Sequence, residues 1–342
     1  MILSNRLLGF RYRKNFFLNR INRRKYKSDI KIGSHNSCPV CGFEEASLIS
    51  EVDRTGFPCQ TVICKQCQFV FNNSFIADPE DFYSHEWGEE RWKDPEKNFQ
   101  KRTATDSYAW KRMAYLAKNI NNDFKKINNI LEVGCGDGCN LLPYHLIGKN
   151  VVGCDFNDNF LKPGREHGLK LITGGIENIS ESSPYDLVML IHSFEHVTKM
   201  DEVVRLVANR IVSGGLVFVE VPGIIGWNRP KNNTKHSMGL KSSNNFLGYL
   251  QFQHNYHFDL NHLKVVWERN GFEMVSGDEW VRAIFRKKKN FENTNFNNEL
   301  LNSKNDIFLH LSNVERDFLS IRNLACGLNK LISRKICTYN KK

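Results

Sequence analysis

Apolar runs and helical apolar spacings alternate through the middle of the chain, and this order predicts an α/β fold. The runs are rich in β-branched residues, which favours buried strands. They cover residues 130–133, 150–155, 169–173, 185–191, 214–222 and 272–276. Apolar residues at helical intervals predict helices over 105–124, 201–212 and 260–270. The second of these helices is expected to end in a C-cap turn at Gly214 and Gly215.

The outer parts of the chain have a different pattern. Residues 1–30 mix apolar residues with Arg and Lys, which is compatible with a basic amphipathic helix, a presequence or a frayed tail. Residues 286–305 have the composition of a linker, and 307–332 have helical spacing that would dock on the domain or on a second copy. The predicted division is a basic tail over 1–32, a small module over 33–75, a linker and capping helix over 76–114, the α/β domain over 115–281, and a basic linker with a C-terminal helix over 282–342.

The strongest local signal is the glycine-rich turn after the first predicted strand of the α/β domain. Gly134, Gly136 and Gly138 let the backbone turn where a Cβ would interfere, and a helical pattern follows at once. Free N–H groups at such a turn suit a nucleotide-type ligand. The next strand ends in Asp155, about twenty residues after the turn begins, where a carboxylate would accept hydrogen bonds from a ribose.

Four cysteines predict a metal centre in the small module. Cys38 and Cys41 form one C-x-x-C pair, and Cys64 and Cys67 form a second. Two such pairs at this separation bring four thiolates to one tetrahedral Zn²⁺, and a closed four-sulfur site is structural rather than catalytic. The segment 33–75 is therefore predicted to be a zinc ribbon.

The segment 132–138, with its glycines spaced G-x-G-x-G, resembles the first motif of class I S-adenosylmethionine-dependent methyltransferases. A dinucleotide-binding dehydrogenase would instead have G-x-G-x-x-G. Residues 185–197 and 214–222 resemble the fourth and fifth strands of the same family, and the likeness covers roughly 115–281. The resemblance implies a Rossmann-like seven-stranded sheet, here with an N-terminal zinc ribbon and a C-terminal helical tail.

The resemblance also implies the cofactor, S-adenosylmethionine, and the residues that hold it. They are Glu132, Gly134, Gly136, Gly138, Asp155 and His192. Many family members carry an acid that contacts the adenine amine where this chain has Gly175. Glu177 or a backbone group is expected to serve instead.

Candidate catalytic residues follow from the same likeness. His254 and His257 with Phe258 match a family element that precedes a helix, and His254 is the leading base or acceptor-orienting residue. The turn after the fourth strand adds His192, Glu195 and His196. Tyr83 and His85 are second-tier candidates from an aromatic segment after the ribbon, and 223–250 is the expected acceptor lid.

The chemistry around His254 favours O-methylation over C-methylation. Related zinc-ribbon sugar C-methyltransferases carry Tyr-x-Glu-His where this chain has Gln251-Phe-Gln-His254. Glutamine is not a useful proton acceptor near neutral pH, so that group's carbon acid chemistry is not expected. The expected acceptor is a small molecule, a sugar nucleotide or a surface glycan.

Charge leaves two other functions open. The formal net charge is +11, with 9 Lys and Arg and no acid in residues 1–27, and 13 Lys and Arg against 5 acids in 282–342. Basic tails and a zinc ribbon would suit RNA methylation or RNA binding, and the tails would also suit peripheral contact with an anionic membrane. Gly175 in place of the adenine-binding acid, and Gln251 and Gln253 in place of tyrosine and glutamate, would suit a non-catalytic scaffold. The chain is expected to be cytoplasmic and to lack a membrane span, and a homodimer is possible.

Overall fold

The computed structural model describes residues 31–53, 57–85, 94–181, 184–226, 249–290 and 306–319, without the side chains of His85 and 315–319. The expected tail at 1–30, most of the expected lid at 227–248, and the linker residues 291–305 lie outside these ranges. No helix in the described part of the chain combines the length and apolarity that a membrane span requires.

A seven-stranded mixed sheet is the centre of the fold, as the sequence predicts. Its strands in chain order are β6 (Asn129–Val133), β7 (Asn150–Asp155), β8 (Lys170–Thr173), β9 (Tyr185–Ile191), β10 (Ile211–Glu220), β12 (Phe272–Asp278) and β13 (Arg282–Lys287). Their spatial order is β12-β13-β10-β9-β6-β7-β8, with β13 antiparallel to both of its neighbours. The order reverses beside β6, and ligands of open α/β sheets bind where the strand order reverses.

The sheet extends past the boundary expected at residue 281. The basic segment 282–287 is β13, which lies between β10 and β12. Ala283, Ile284 and Phe285 are fully buried there. The predicted start of the linker at 282 is therefore wrong, because the surrounding Arg and Lys residues obscure a short central strand.

Nine helices are present in the described residues. They are α1 (Pro79–His85), α2 (Pro95–Thr103), α3 (Tyr108–Ile120), α4 (Asp123–Lys126), α5 (Leu142–Leu146), α6 (Asp158–Glu166), α7 (Met200–Arg210), α8 (Leu260–Glu268) and α9 (Ile307–Leu319). Side chains cap the N-termini of five of them. Asp78 accepts from Asp81 N, Asp94 from Lys97 N, Asn157 from Asn159 N and Phe160 N, Asp259 from His262 N, and Asp306 from Leu309 N.

The C-cap turn expected at Gly214 and Gly215 is wrong. Helix α7 ends at Arg210 and the chain enters β10 directly at Ile211. Gly214, with φ +77°, lies in an irregularity of β10, between the two stretches where that strand pairs with β9. The glycine therefore serves a β-bulge, for which its positive φ is equally suitable.

Alternation along the strands divides the core into two layers. In β9, Leu187 and Met189 pack on one face with Leu116 of α3, whereas Val188 and Leu190 pack on the other face with residues of α7 and α8. This is the period of two that a strand buried on both sides produces.

The N-terminal module is built from β1 (Ile32–Ser34), β2 (Ala46–Val52), β3 (Pro58–Cys64), β4 (Val70–Asn72) and β5 (Ser74–Ile76). The four-stranded sheet of this module has the order β11-β4-β3-β2, and its edge strand β11 (Tyr256–His257) comes from the far end of the α/β domain. Phe69 and Cys67 belong to the same apolar cluster as Phe258 and Trp267. The module is thus joined to the domain by both backbone pairing and packing.

Candidate active site and metal centre

The glycine turn follows β6 at the carboxyl edge of the sheet, and all three glycines have positive φ, between +55° and +76°. Their roles differ. A Cβ on Gly134 would lie 2.6 Å from Ser193 Cβ, and one on Gly138 would lie 2.9 Å from Leu169 Cδ1. A Cβ on Gly136 would meet no atom within 4 Å. Gly134 and Gly138 therefore allow close packing of the turn, and Gly136 borders the open space in which a ligand would lie.

Asp155 ends β7 directly beside this turn. Its carboxylate accepts hydrogen bonds from Gly136 N at 2.9 Å and from Asn157 N at 3.0 Å. Burial raises the pKa of Asp155, and the two backbone N–H groups counteract that rise. The carboxylate is thus held rigidly at the edge of the glycine turn, where a ribose would meet it.

Glu132 lies on the other side of the turn and is fully buried. Asn140 donates to Glu132 Oε1 at 2.7 Å, while Oε2 has no hydrogen-bond partner among the described residues. Burial raises the pKa of Glu132 to about 8, so the group is largely protonated at neutral pH. A buried carboxyl with one oxygen unpartnered fits a cationic ligand group such as an ammonium.

The carboxylate of Glu177 lies beside Gly175, and its contact with an adenine amine stays a prediction. Glu177 lies on a 3-10 turn after β8, and its Oε1 would be 2.3 Å from a Cβ built on Gly175. Its carboxylate therefore fills the volume next to residue 175 that a side chain there would need.

His192 directly follows β9 and has an unusual backbone for a non-glycine residue, with φ +53°. Its Nε2 is 3.2 Å from Glu220 Oε1, and its Nδ1 is 3.6 Å from Glu195 Oε1. Burial would lower the pKa of His192, but the two carboxylates outweigh it and raise the pKa to about 9. A charged imidazole is a donor rather than a base at neutral pH, so His196 and His254 are the better-placed proton acceptors.

Arg112 of α3 connects the two sides of the site. Its guanidinium donates to Glu220 Oε1 from Nε at 3.0 Å and to Asn140 Oδ1 from Nη1 at 3.2 Å. Burial would raise the pKa of Glu220, yet hydrogen bonds from His192 and Arg112 lower it to about 2. A continuous polar chain therefore runs from Glu132 through Asn140, Arg112 and Glu220 to His192.

Glu195, His196 and His254 form a compact cluster beside this chain. Each offers one potential ligand atom within 4.8 Å of the other two. The rings of His196 and His254 meet edge to face, with centroids 4.9 Å apart. Tyr83 of α1 contacts the cluster, since its hydroxyl is 2.8 Å from His196 Nδ1. Three predicted catalytic residues and Tyr83 are thus brought together, while the side chain of His85 lies outside the described residues.

The loop that carries His254 is fixed by the N-terminal module. Asn72, at the end of β4, is fully buried and donates its amide hydrogens to the carbonyls of Gln251, Phe252 and His254, the last at 2.8 Å. Asn72 N also donates to the carbonyl of Asn255 at 2.9 Å. The module thereby positions a candidate catalytic side chain.

The four cysteine sulfurs have the geometry that zinc requires. Cys38 Sγ is 3.6 Å from Cys67 Sγ, and Cys41 Sγ is 3.6 Å from Cys64 Sγ. All four sulfurs lie within 4.8 Å of one another. Zn–S bonds of about 2.3 Å in a tetrahedron place sulfurs roughly 3.8 Å apart, so the residues present fit one Zn²⁺.

Two side chains of the α/β domain contact the backbone of the two C-x-x-C segments. His262 of α8 donates through Nε2 to the Cys67 carbonyl, 2.9 Å away, and its Nδ1 is 2.6 Å from Asp259 Oδ1. Arg269 donates to the carbonyls of Val40 and Pro39 while it is paired with Asp201.

Sequence reasoning missed Arg112, Asn140, Glu220 and Asn72. Two of them could have been found from recognised elements: Asn140 lies just after the glycine turn, and Glu220 lies at the carboxyl end of a predicted strand. No local pattern marks Arg112 or Asn72, which become functional candidates only through contacts with distant segments.

Comparison with known proteins gives a match to a family model. The model described as "Methyltransferase domain" matches residues 101–277. A ubiquinone biosynthesis O-methyltransferase of Shewanella pealeana is 29% identical over 150 residues, which are 42% of this chain and 61% of that protein. The corresponding protein of Aliivibrio fischeri MJ11 is 30% identical over 150 residues, with 42% and 62% covered. The chain thus spans about three fifths of the length of these curated relatives.

One similar solved structure is an amino pentose methyltransferase from Micromonospora echinaspora, at 13% identity and a TM-score of 0.40. The match covers 56% of this chain and 96% of that one.

We expect one Zn²⁺ per chain, bound by Cys38, Cys41, Cys64 and Cys67. Replacing Cys64 and Cys67 together by serine should abolish zinc in elemental analysis and lower the melting temperature, because metal binding is part of the folding free energy of such modules. Cofactor binding should remain, since the cysteines do not touch the glycine turn. Cys59→Ser is the matched control and should keep its zinc. Full zinc retention in the double variant would contradict this assignment.

Proposed function

Because the chain belongs to the methyltransferase domain family, we propose that it binds S-adenosylmethionine at the glycine turn and transfers the methyl group to the hydroxyl of a small-molecule or sugar-containing acceptor. The observation that carries this proposal is the arrangement at the carboxyl edge of the sheet. Gly136 and Asp155 are hydrogen-bonded at the glycine turn. Tyr83 links this turn to the histidines, because its carbonyl accepts from Asn157 and its hydroxyl lies 2.8 Å from His196 Nδ1.

The proposed cofactor supplies an electrophilic methyl group on a sulfonium. Three groups of this chain would hold it. Asp155 would accept hydrogen bonds from the ribose hydroxyls, and the unpartnered Oε2 of Glu132 would take the ammonium. Glu177 would accept a hydrogen bond from the adenine amine, because its carboxylate lies at the position next to Gly175.

The acceptor side would be formed by His254, His196, Glu195 and His192. Methyl transfer is an in-line displacement, so the chief tasks of these residues are to align the acceptor oxygen and to exclude water. His254 or His196 would take the hydroxyl proton or orient the acceptor oxygen. Tyr83 covers the site from α1, and Asn157 fixes α1 by donating to the Tyr83 carbonyl at 3.0 Å.

Two observations support oxygen rather than carbon as the acceptor atom. Gln253 places its backbone carbonyl, not a basic side chain, against His196 Nδ1 at 2.9 Å. The similar proteins from Shewanella and Aliivibrio are named O-methyltransferases. The acceptor class itself is inferred from the polar groups beside His254, His196 and Glu195, which suit a hydroxylated small molecule.

The first test concerns the cofactor. Asp155→Ala should weaken S-adenosylmethionine binding by at least ~10-fold in calorimetry, because charge-assisted hydrogen bonds are lost. Gly136→Val should weaken it further, since a β-branched residue at φ +55° is strained and its side chain enters the ligand space. The control is Asp158→Ala, at the start of α6. The carboxylate of Asp158 is bonded to Arg165 and Thr173, so this variant should bind like the parent. Equal affinity of Asp155→Ala and the parent would refute the assignment.

The second test uses the raised pKa of Glu132. At pH 7 this group is mainly protonated in the free protein, because its pKa is about 8. An ammonium placed against it favours the carboxylate, so binding should release on the order of one proton. Calorimetry in buffers of different ionisation enthalpy measures that release. Glu132→Gln should abolish it, and the surface variant Glu202→Gln should not; proton release unchanged in Glu132→Gln would exclude this role.

The third test concerns the acceptor atom. With an isotopically labelled methyl carbon and fractions of small hydroxylated metabolites and sugar nucleotides, the labelled product should show a methoxy carbon in its NMR spectrum. His254→Ala should slow the transfer by about 100-fold or more, the usual range for a lost proton-transfer or orienting group. His145→Ala is the matched control, because His145 lies on α5 near Gly168 and is not part of the histidine cluster. A label attached to carbon would overturn the O-methylation proposal.

A further inference from the structure

We propose that Glu195, His196 and His254 bind one divalent transition-metal ion beside the cofactor space, separate from the four-cysteine centre. Two imidazole nitrogens and one carboxylate oxygen, with the remaining positions open, form a ligand set that suits Zn²⁺, Fe²⁺, Co²⁺ or Mn²⁺.

The distances within the cluster are compatible with a single ion. One ligand atom from each residue lies within 4.8 Å of the other two. Bonds of about 2.0–2.2 Å bring two ligands on opposite sides of an ion to roughly 4.2 Å and adjacent ligands closer. Small rotations of these side chains therefore suffice to close the site.

Glu195 provides the second, independent observation. Its side chain is 1% exposed, and neither carboxylate oxygen has a hydrogen-bond partner among the described residues. The nearest positive group is His192, 3.6 Å away, and His196 Nε2 is 3.8 Å away. A buried carboxylate without hydrogen bonds is costly, and a metal ion directed at these oxygens would remove that cost.

His196 has the hydrogen bonding expected of a metal ligand. Its Nδ1 is 2.9 Å from the Gln253 carbonyl, which can only accept. A hydrogen bond to this carbonyl requires the hydrogen on Nδ1, for which the Tyr83 hydroxyl, 2.8 Å away, is a second acceptor. The lone pair is then on Nε2, which lies 3.8 Å from Glu195 Oε1. Metal-ligating histidines usually donate their second ring N–H to a carbonyl or carboxylate in this way.

The position of the cluster indicates what an ion would do there, and this part of the inference rests on the proposed function. An ion held by His254 and Glu195 would polarise an acceptor hydroxyl that approaches from the open side. The hydroxyl proton would pass to solvent water, the oxygen would form the new bond to the methyl carbon, and the sulfur would keep the electron pair of the broken S–C bond. His254 would then orient the acceptor through the ion rather than act as the base.

The experiment adds a cobalt(II) salt to the full chain after its four-cysteine centre has been filled with zinc. Elemental analysis should find one zinc and one additional cobalt per chain, and the cobalt spectrum should show weak bands of a nitrogen and oxygen site without thiolate charge transfer. Glu195→Gln and His254→Ala should each weaken cobalt binding by at least ~10-fold. Circular dichroism and retained zinc would show that these variants are folded.

Two control variants sharpen the test. His192→Ala removes the nearest competing cation, so cobalt should bind at least as tightly as in the parent. His145→Ala should leave cobalt binding unchanged.

Absence of a second metal in the parent, cobalt that only replaces zinc at the thiolates, or unchanged binding in Glu195→Gln would overturn the proposal. A parent that binds cobalt but not S-adenosylmethionine would refute the proposed function alone, and the opposite result would refute the metal site alone.

Discussion

The pairing of β4 with β11 is the interaction on which the acceptor side of this molecule depends. It places Asn72 where its side-chain amide can bond the carbonyls of Gln251, Phe252 and His254. Removing buried hydrogen-bond donors leaves carbonyls unsatisfied, so the loop has one strongly preferred arrangement. The four-cysteine module is therefore part of the architecture of the candidate site, because Asn72 at the end of its strand β4 sets the position of His254.

Electrostatic interactions also couple the expected cofactor side of the site to its expected acceptor side. Glu132 lies next to the expected ammonium and His192 next to the expected acceptor, and Asn140, Arg112 and Glu220 connect them. Each link is a hydrogen bond or an ion pair between 2.5 and 3.2 Å. In a buried environment such links reinforce one another, so a change of charge at Glu132 is felt at His192.

Much of the fold could be predicted from the sequence, because its signals are local. The glycine turn, Asp155 and the paired cysteines each depend on residues within one short segment, and the structure places them as those patterns indicate. Strand β13 was missed because basic residues flank three buried ones. Arg112 and Asn72 were missed for another reason: α3 and β4 give no sign of the carbonyls and carboxylates that they meet far along the chain. The same holds for the contact of Tyr83 with His196, which joins residues 113 positions apart.

The edge strand β11 also has a consequence for how the protein comes to be made. Asn72 and His254 are separated by 182 positions. A ribosome adding roughly 5–20 residues per second would release the N-terminal module long before β11, the remaining strand of its four-stranded sheet, is synthesised. During that interval the edge of β4 presents unpaired backbone groups, which are a template for association with other nascent chains. Early zinc capture would hold the three available strands together over this period, and the sheet would be completed only when the final part of the α/β domain emerges.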